Sequence, residues 1–284
     1  MKVLVTGVGG QLGFDVMREL NGRGIDAIGA SRREFSLTDH AAARKFIEEH
    51  RPTAIVHCAA YTAVDKAEDE KEQAMAVNFE ATRNLALVAK DVDAKFIYIS
   101  TDYVFPGDGE EFYETEAAKK PQNVYGLSKL KGEETVKEIL TKYFIVRISW
   151  VFGINGKNFI RTMLKLSESR DELKVVADQI GSPTYTVDLA GLLVDMLLTE
   201  KYGVYHATNE GVCSWAELAA EVFRQKGKKT SVVPVPSSAY PTKAKRPLNS
   251  RLSKKSLDAA GFARLPDWQD AVGRYLLELS SEEA

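Results

Sequence analysis

The chain has 284 residues, room for one or two domains, and a chain of that length buries roughly 70–75% of its unfolded surface without staples. Its 38 Lys and Arg stand against 40 Asp and Glu, so the formal net charge is −2. That balance leaves no electrostatic footprint for a nucleic acid or a membrane surface. Two cysteines, Cys58 and Cys213, supply neither a disulfide framework nor a zinc-type spacing, and both read as small buried residues in a reducing cytoplasm.

The first apolar run, Lys2–Thr6, reads as a strand that meets glycines too soon to be a signal peptide. Gln11–Asn21 follows as a helix with Leu12, Val16, Met17 and Leu20 on one face. Ile25–Ala30 is a second strand, and Thr38-Asp39 caps a helix carrying Phe46 and Ile47. Ala54–Ala59 is a third strand, 70–89 a long helix, Ala94–Thr101 a fourth strand and Tyr143–Ser149 a fifth. Apolar strands alternating with helices indicate a parallel sheet covered on both faces, a Rossmann-like, doubly wound α/β fold. Past Trp150 the strand candidates Leu173–Ala177, Gly203–Thr208 and Ser231–Val235 are looser and punctuated by proline. The expected division is a dinucleotide-binding domain over 1–149, to which parts of 180–202 return, and a smaller mixed α/β substrate domain over 150–284. Leu189–Leu198 is too short and too polar to span a membrane, and disorder is expected only in the tail around Ser280–Glu283.

Gly7-Val8-Gly9-Gly10-Gln11-Leu12-Gly13 lies directly after the first strand and opens the first helix. Glycines there permit a tight turn, approach of the backbone to a pyrophosphate and close helix–strand packing, while the helix N-terminus supplies donors. The second strand ends Ser31-Arg32-Arg33, and no carboxylate appears before Glu34. A hydroxyl and two guanidinium groups suit the 2′-phosphate of NADPH, with NADH the second cofactor; solvated surface arginines are the competing reading. Tyr125 and Lys129, four apart on a helix, are expected to point together, the ammonium lowering the phenol's pKa for proton transfer. Thr101 lies at the carboxyl end of the fourth strand, where such sheets place ligands, and its hydroxyl could position the reacting oxygen. A plain capping role for Ser100-Thr101-Asp102 is equally open.

The glycine turn and the Thr101, Tyr125 and Lys129 set resemble the extended short-chain dehydrogenase/reductase superfamily. Within it the segments Cys58 to Glu68, Ser100 to Phe105, Asn123 to Gly126, Arg147 to Val151 and Arg246 to Leu252 are similar to the dTDP-4-dehydrorhamnose reductases. The resemblance implies hydride transfer from a nicotinamide to the C4 ketone of a dTDP-sugar, with Tyr125 giving a proton to the developing alkoxide. It implies cofactor contacts from Gly7, Gly10, Gln11, Leu12, Gly13, Ser31, Arg32, Leu37, Ala59, Ala60, Tyr61 and Thr62, together with Tyr125 and Lys129. Ser100, Thr101, Asp102, Tyr103 and Trp150 would line the sugar site. Six basic residues from Lys243 to Lys255 could grip the nucleotide diphosphate, with Arg246 the choice among them and a solvated basic loop the alternative. Gln179 to Thr184 is a further loop of the same kind. The expected partner is a small nucleotide sugar, with no nucleic acid, membrane or metal, for a monomer or homodimer.

Two rivals remain. A dehydratase or epimerase of sugar nucleotides would share these motifs, although Tyr103 stands where dehydratases carry a Glu. A non-catalytic dinucleotide-binding subunit, like the regulatory subunit of methionine adenosyltransferase, is the other.

Overall fold

The computed structural model describes residues 1–282. Five strands in chain order, β1 (Lys2–Thr6), β2 (Asp26–Ala30), β3 (Ala54–His57), β4 (Lys95–Thr101) and β5 (Tyr143–Ile148), build the sheet. They lie in the order β2-β1-β3-β4-β5, all parallel, and the strand Gly203–His206 adds beside β5. The sheet therefore is not confined to 1–149, and it takes back more than the segment 180–202. Residue 203 onward could not be assigned to the sheet by pattern, because an edge strand of four residues looks the same in either lobe.

Alternation along each strand divides the core between two faces. From β1, Val3 and Val5 face helix α1 (Gln11–Gly22) and the helix Thr186–Leu197, while Leu4 faces helix α2 (His40–His50) and the helix Ala81–Asp91. All three side chains are fully buried, and each such burial is worth about 1.5–3 kcal/mol. Asp39 caps α2 as its spacing predicts, its carboxylate accepting from the Ala42 N–H at 3.0 Å. The expected helix over 70–89 is interrupted: Lys71–Met75 leads into a π turn, Ala76–Glu80, before Ala81–Asp91.

A smaller lobe forms its own core, where Glu172–Val176 pairs in parallel with Ser231–Val235 and the helices Phe159–Ser167, Trp215–Lys226 and Trp268–Glu282 pack around them. Ser214 and Glu217 make a reciprocal capping box at the start of Trp215–Lys226. Ser280 to Glu282 lie in the last helix rather than in a disordered tail, and Glu283 lies outside the described residues. Among the described residues no helix is long and apolar enough to cross a membrane.

Candidate active site

Where strand order reverses, between β1 and β3, the carboxyl ends open a crevice. The glycine turn stands there. Gly7 has φ +73°, and a Cβ on it would come within 2.7 Å of the Ala59 nitrogen after β3. Gly13 is held by contact instead: a Cβ would lie 2.3 Å from the Gly7 carbonyl oxygen, so only glycine lets α1 sit on the turn. Gly10 caps α1 with extended backbone and no side-chain bond, leaving the first N–H groups of the helix for a ligand. These features fit a dinucleotide pyrophosphate. Gly13→Ala is expected to displace α1 at a cost of about 1–3 kcal/mol and to weaken NADPH binding about tenfold or more, as read by fluorescence titration.

Other residues expected at the cofactor have further work. Gln11 Oε1 accepts from the Gly153 N–H at 2.9 Å and from Asn158 Nδ2 at 3.1 Å, tying the turn to the smaller lobe. Asn155 donates to the carbonyls of Gly9 and Gly10. Neither partner was legible by spacing. Leu12 packs into the sheet core, and Leu37 lies partly buried against the opposite face. The Ala59-Ala60-Tyr61-Thr62 segment is held by Asn78, whose side chain bonds both the N–H and the carbonyl of Tyr61 at 2.8 and 3.0 Å and donates to Ser128 Oγ at 2.9 Å. Asn78 lies in the π turn, which aims it across the crevice. At the end of β2 the Ser31 N–H and hydroxyl both donate to Glu34, while Arg32 and Arg33 stay exposed.

At the far side of the crevice stand Thr101, which ends β4, and Tyr125, in the first turn of the helix Val124–Ile139. Asn123 caps that helix through the Gly126 N–H at 2.8 Å. A Cβ on Gly126 would lie 2.3 Å from the Tyr103 carbonyl oxygen, so glycine is what lets the helix approach the end of β4. The Tyr125 hydroxyl lies beside Thr101. Burial raises the Tyr125 pKa above that of a free phenol, with the neighbouring Thr101 opposing and Asp102 and Tyr103 adding to the rise. The expected depression by Lys129 is therefore not in force. Lys129 is buried, its ammonium 4.0 Å from the centre of the Tyr98 ring, and burial pushes it down to about 7 against the pull of Glu133. The phenol is thereby kept protonated at neutral pH, the state a proton donor needs.

Asp102 joins the two lobes. It accepts from Thr101 Oγ1 at 2.9 Å and from Ser250 Oγ at 2.5 Å, and burial raises its pKa to about 6 against both bonds. Because the folded value lies above the ordinary 3.8, its contribution to stability is complete below that pH and is lost as pH rises through about 6. Relative to Asp102→Asn, the wild-type chain is expected to lose stability between about pH 4 and about pH 7 and to show a flat difference above that; urea unfolding across this range checks the sign.

Beneath these groups lies a buried polar chain that spacing did not expose. Ser100 Oγ donates to Glu133 Oε1 at 2.6 Å, turning the hydroxyl expected at the sugar toward the interior. Glu133 receives Arg147 in a two-pronged pair at 2.8 and 2.7 Å. Arg147 also donates to the Thr115 carbonyl and to His206 Nε2, and His206 Nδ1 to the Ser253 carbonyl. Burial, then Arg147, drives the His206 pKa well below its usual value, so the ring is neutral.

Trp150 takes φ +50° and stacks on Trp215 with ring centres 3.8 Å apart. Held in a conformation that costs a non-glycine residue energy, it is partly buried at the edge of the second core. Arg246 is not a free cation: it donates to Tyr103 Oη at 3.1 Å and pairs with Asp65. Lys243 and Lys255 pair with Asp69 and Glu114, and Lys254 is buried, so the basic segment is largely committed within the chain. Among the described residues no group of three or more His, Cys, Asp or Glu is placed to hold a metal ion.

The family described as RmlD substrate binding domain matches residues 1–281. A dTDP-4-dehydrorhamnose reductase of Streptomyces griseus is 42% identical over 95% of this chain and 91% of its own length. The crystal structure of a dTDP-4-dehydrorhamnose reductase from Clostridium acetobutylicum superimposes with TM-score 0.96 at 39% identity, covering 99% of this chain and all of its own. That of the Bacillus anthracis enzyme, in complex with NADP, gives 0.95 at 42% identity, covering 98% of this chain and all of its own.

Proposed function

Because this chain belongs to the dTDP-4-dehydrorhamnose reductase family, we propose that it reduces the C4 ketone of dTDP-4-dehydro-β-L-rhamnose to dTDP-β-L-rhamnose with NADPH. The observation that carries this reading is the placement of Tyr125 beside Thr101 at the carboxyl end of β4, across the crevice from the glycine turn and the first turn of α1, which no side chain caps. Bound there, NADPH supplies the hydride.

Tyr125 holds the other half of the chemistry, a proton on Oη, and gives it to the carbonyl oxygen as negative charge develops there. Thr101 shares that oxygen's neighbourhood and holds the phenol in place, because its own hydroxyl is fixed by Asp102 and by the Tyr103 N–H. Lys129 lies one turn along the same helix, where its side chain serves the cofactor. Gly7, Gly10, Leu12 and Gly13 with the Ala59 to Thr62 segment take the dinucleotide, and Ser31, Arg32 and Leu37 its adenosine half. Asp102, Tyr103, Trp150 and Arg246 form the nucleotide-sugar side; Ser100 supports it from below through Glu133. Residues 1–149 with the returning 186–206 segment form the dinucleotide half and the remainder the sugar half. The enzyme works in the cytoplasm as a monomer or homodimer.

Purified protein mixed with NADPH and dTDP-4-dehydro-β-L-rhamnose should oxidise one NADPH for each dTDP-β-L-rhamnose formed. A protein that keeps NAD bound through purification and consumes no added NADPH would instead be an enzyme that recycles its cofactor, a sugar-nucleotide epimerase or dehydratase.

A further inference from the structure

Beside the glycine turn, β2 delivers a small anion nest. The Ala30 carbonyl accepts from the Gly7 N–H at 2.9 Å, so Ser31, the next residue, stands at the rim of the crevice. The chain then folds back tightly, with the Arg33 N–H on Ser31 Oγ at 3.1 Å and the Phe35 N–H on the Ser31 carbonyl at 3.3 Å. This turn brings Glu34 over Ser31, where a single carboxylate oxygen accepts from the N–H at 2.6 Å and from the hydroxyl at 2.7 Å. The two bonds, with Arg33 nearby, hold the Glu34 carboxyl below its usual range. Two converging donors and two exposed arginines are what a phosphate monoester needs, and the carboxylate of Glu34 already takes the donors.

We propose that Glu34 sets the preference between NADPH and NADH by competing, with its own carboxylate, for the Ser31 donors that a 2′-phosphate would take. The proposal rests on the dinucleotide-binding reading above. For NADPH to bind, Glu34 must swing out, and its charge then stands near the incoming phosphate. For NADH no anion enters, so Glu34 stays on Ser31 and offers an acceptor to the ribose hydroxyls. The carboxylate thus works against one cofactor and for the other, and a chain whose Ser31-Arg32-Arg33 reads as a phosphate site accepts both.

The test titrates wild type, Glu34→Gln and Glu34→Ala with NADPH and NADH by fluorescence quenching, and with 2′,5′-ADP and 5′-AMP by calorimetry. Glu34→Ala should bind NADPH and 2′,5′-ADP about tenfold more tightly and NADH several-fold more weakly, raising the NADPH-to-NADH affinity ratio at least about tenfold. Glu34→Gln, neutral but still able to accept one bond, should fall between. A ratio unchanged within about twofold in both variants would overturn the proposal while leaving the dinucleotide site intact. Failure of wild type to bind any of the four ligands would overturn the dinucleotide reading itself, and the proposal with it. Unchanged circular dichroism and melting would show that the turn has kept its fold.

Discussion

Tyr125→Phe should lower turnover by about 10²–10⁴-fold while leaving NADPH affinity within about twofold of wild type. The substitution removes one oxygen. The ring remains, and with it the edge-to-face contact with Tyr103 at 5.5 Å between centres, so neither lobe is expected to shift. What disappears is the proton on Oη, which burial keeps on the phenol at neutral pH. Water could replace it only by entering a site where Thr101 and Asp102 are themselves buried. Steady-state kinetics with a parallel fluorescence titration separate the two quantities. Equal losses in binding and turnover would assign the hydroxyl to holding the cofactor rather than to proton transfer.

The largest effect on stability is expected from Arg147→Met. Arg147 is fully buried and gives two bonds to Glu133, one to the Thr115 carbonyl and one to His206. Methionine fills much of the stem's volume but leaves the Glu133 carboxylate without its cation. Breaking a buried pair in this way costs about 3–5 kcal/mol, most of it the penalty on the charge left behind. The double variant Arg147→Met with Glu133→Gln should recover a substantial part of the loss, because the stranded charge is gone. Urea unfolding monitored by far-ultraviolet circular dichroism reads both. Equal stability in the single and double variants would mean that Glu133 already finds another partner.

These two sites differ in how far the sequence discloses them. The glycine turn, Tyr125 and Lys129 are legible because their geometry is local: residues a few positions apart on one turn or helix face are neighbours whatever the rest of the chain does. The sheet is legible for the same reason, as a run of apolar strands between helices, up to the short strand Gly203–His206. The supporting contacts are not local. Arg147 meets His206 at 59 residues' separation, Asp102 meets Ser250 at 148, and Arg246 reaches Tyr103 at 143. Single positions carry no periodic signal across such distances, so pattern alone places Ser100 at the sugar whereas its hydroxyl turns to Glu133. Asn78 escapes notice differently, because the π turn that aims it lies within a pattern that reads as continuous helix. Electrostatics departs from the sequence reading where burial outweighs a neighbouring charge. Spacing alone has Lys129 lower the Tyr125 pKa, yet desolvation dominates both groups, raising the phenol and lowering the ammonium.

The central claim is direct hydride transfer to C4 of the sugar with protonation of its oxygen by Tyr125. NADPH carrying deuterium at the transferring position of the nicotinamide tests it most directly, with the product examined by nuclear magnetic resonance. The account predicts dTDP-β-L-rhamnose with deuterium at C4 and none elsewhere, formed in step with cofactor oxidation. Product without the label, or label at another carbon, would contradict it.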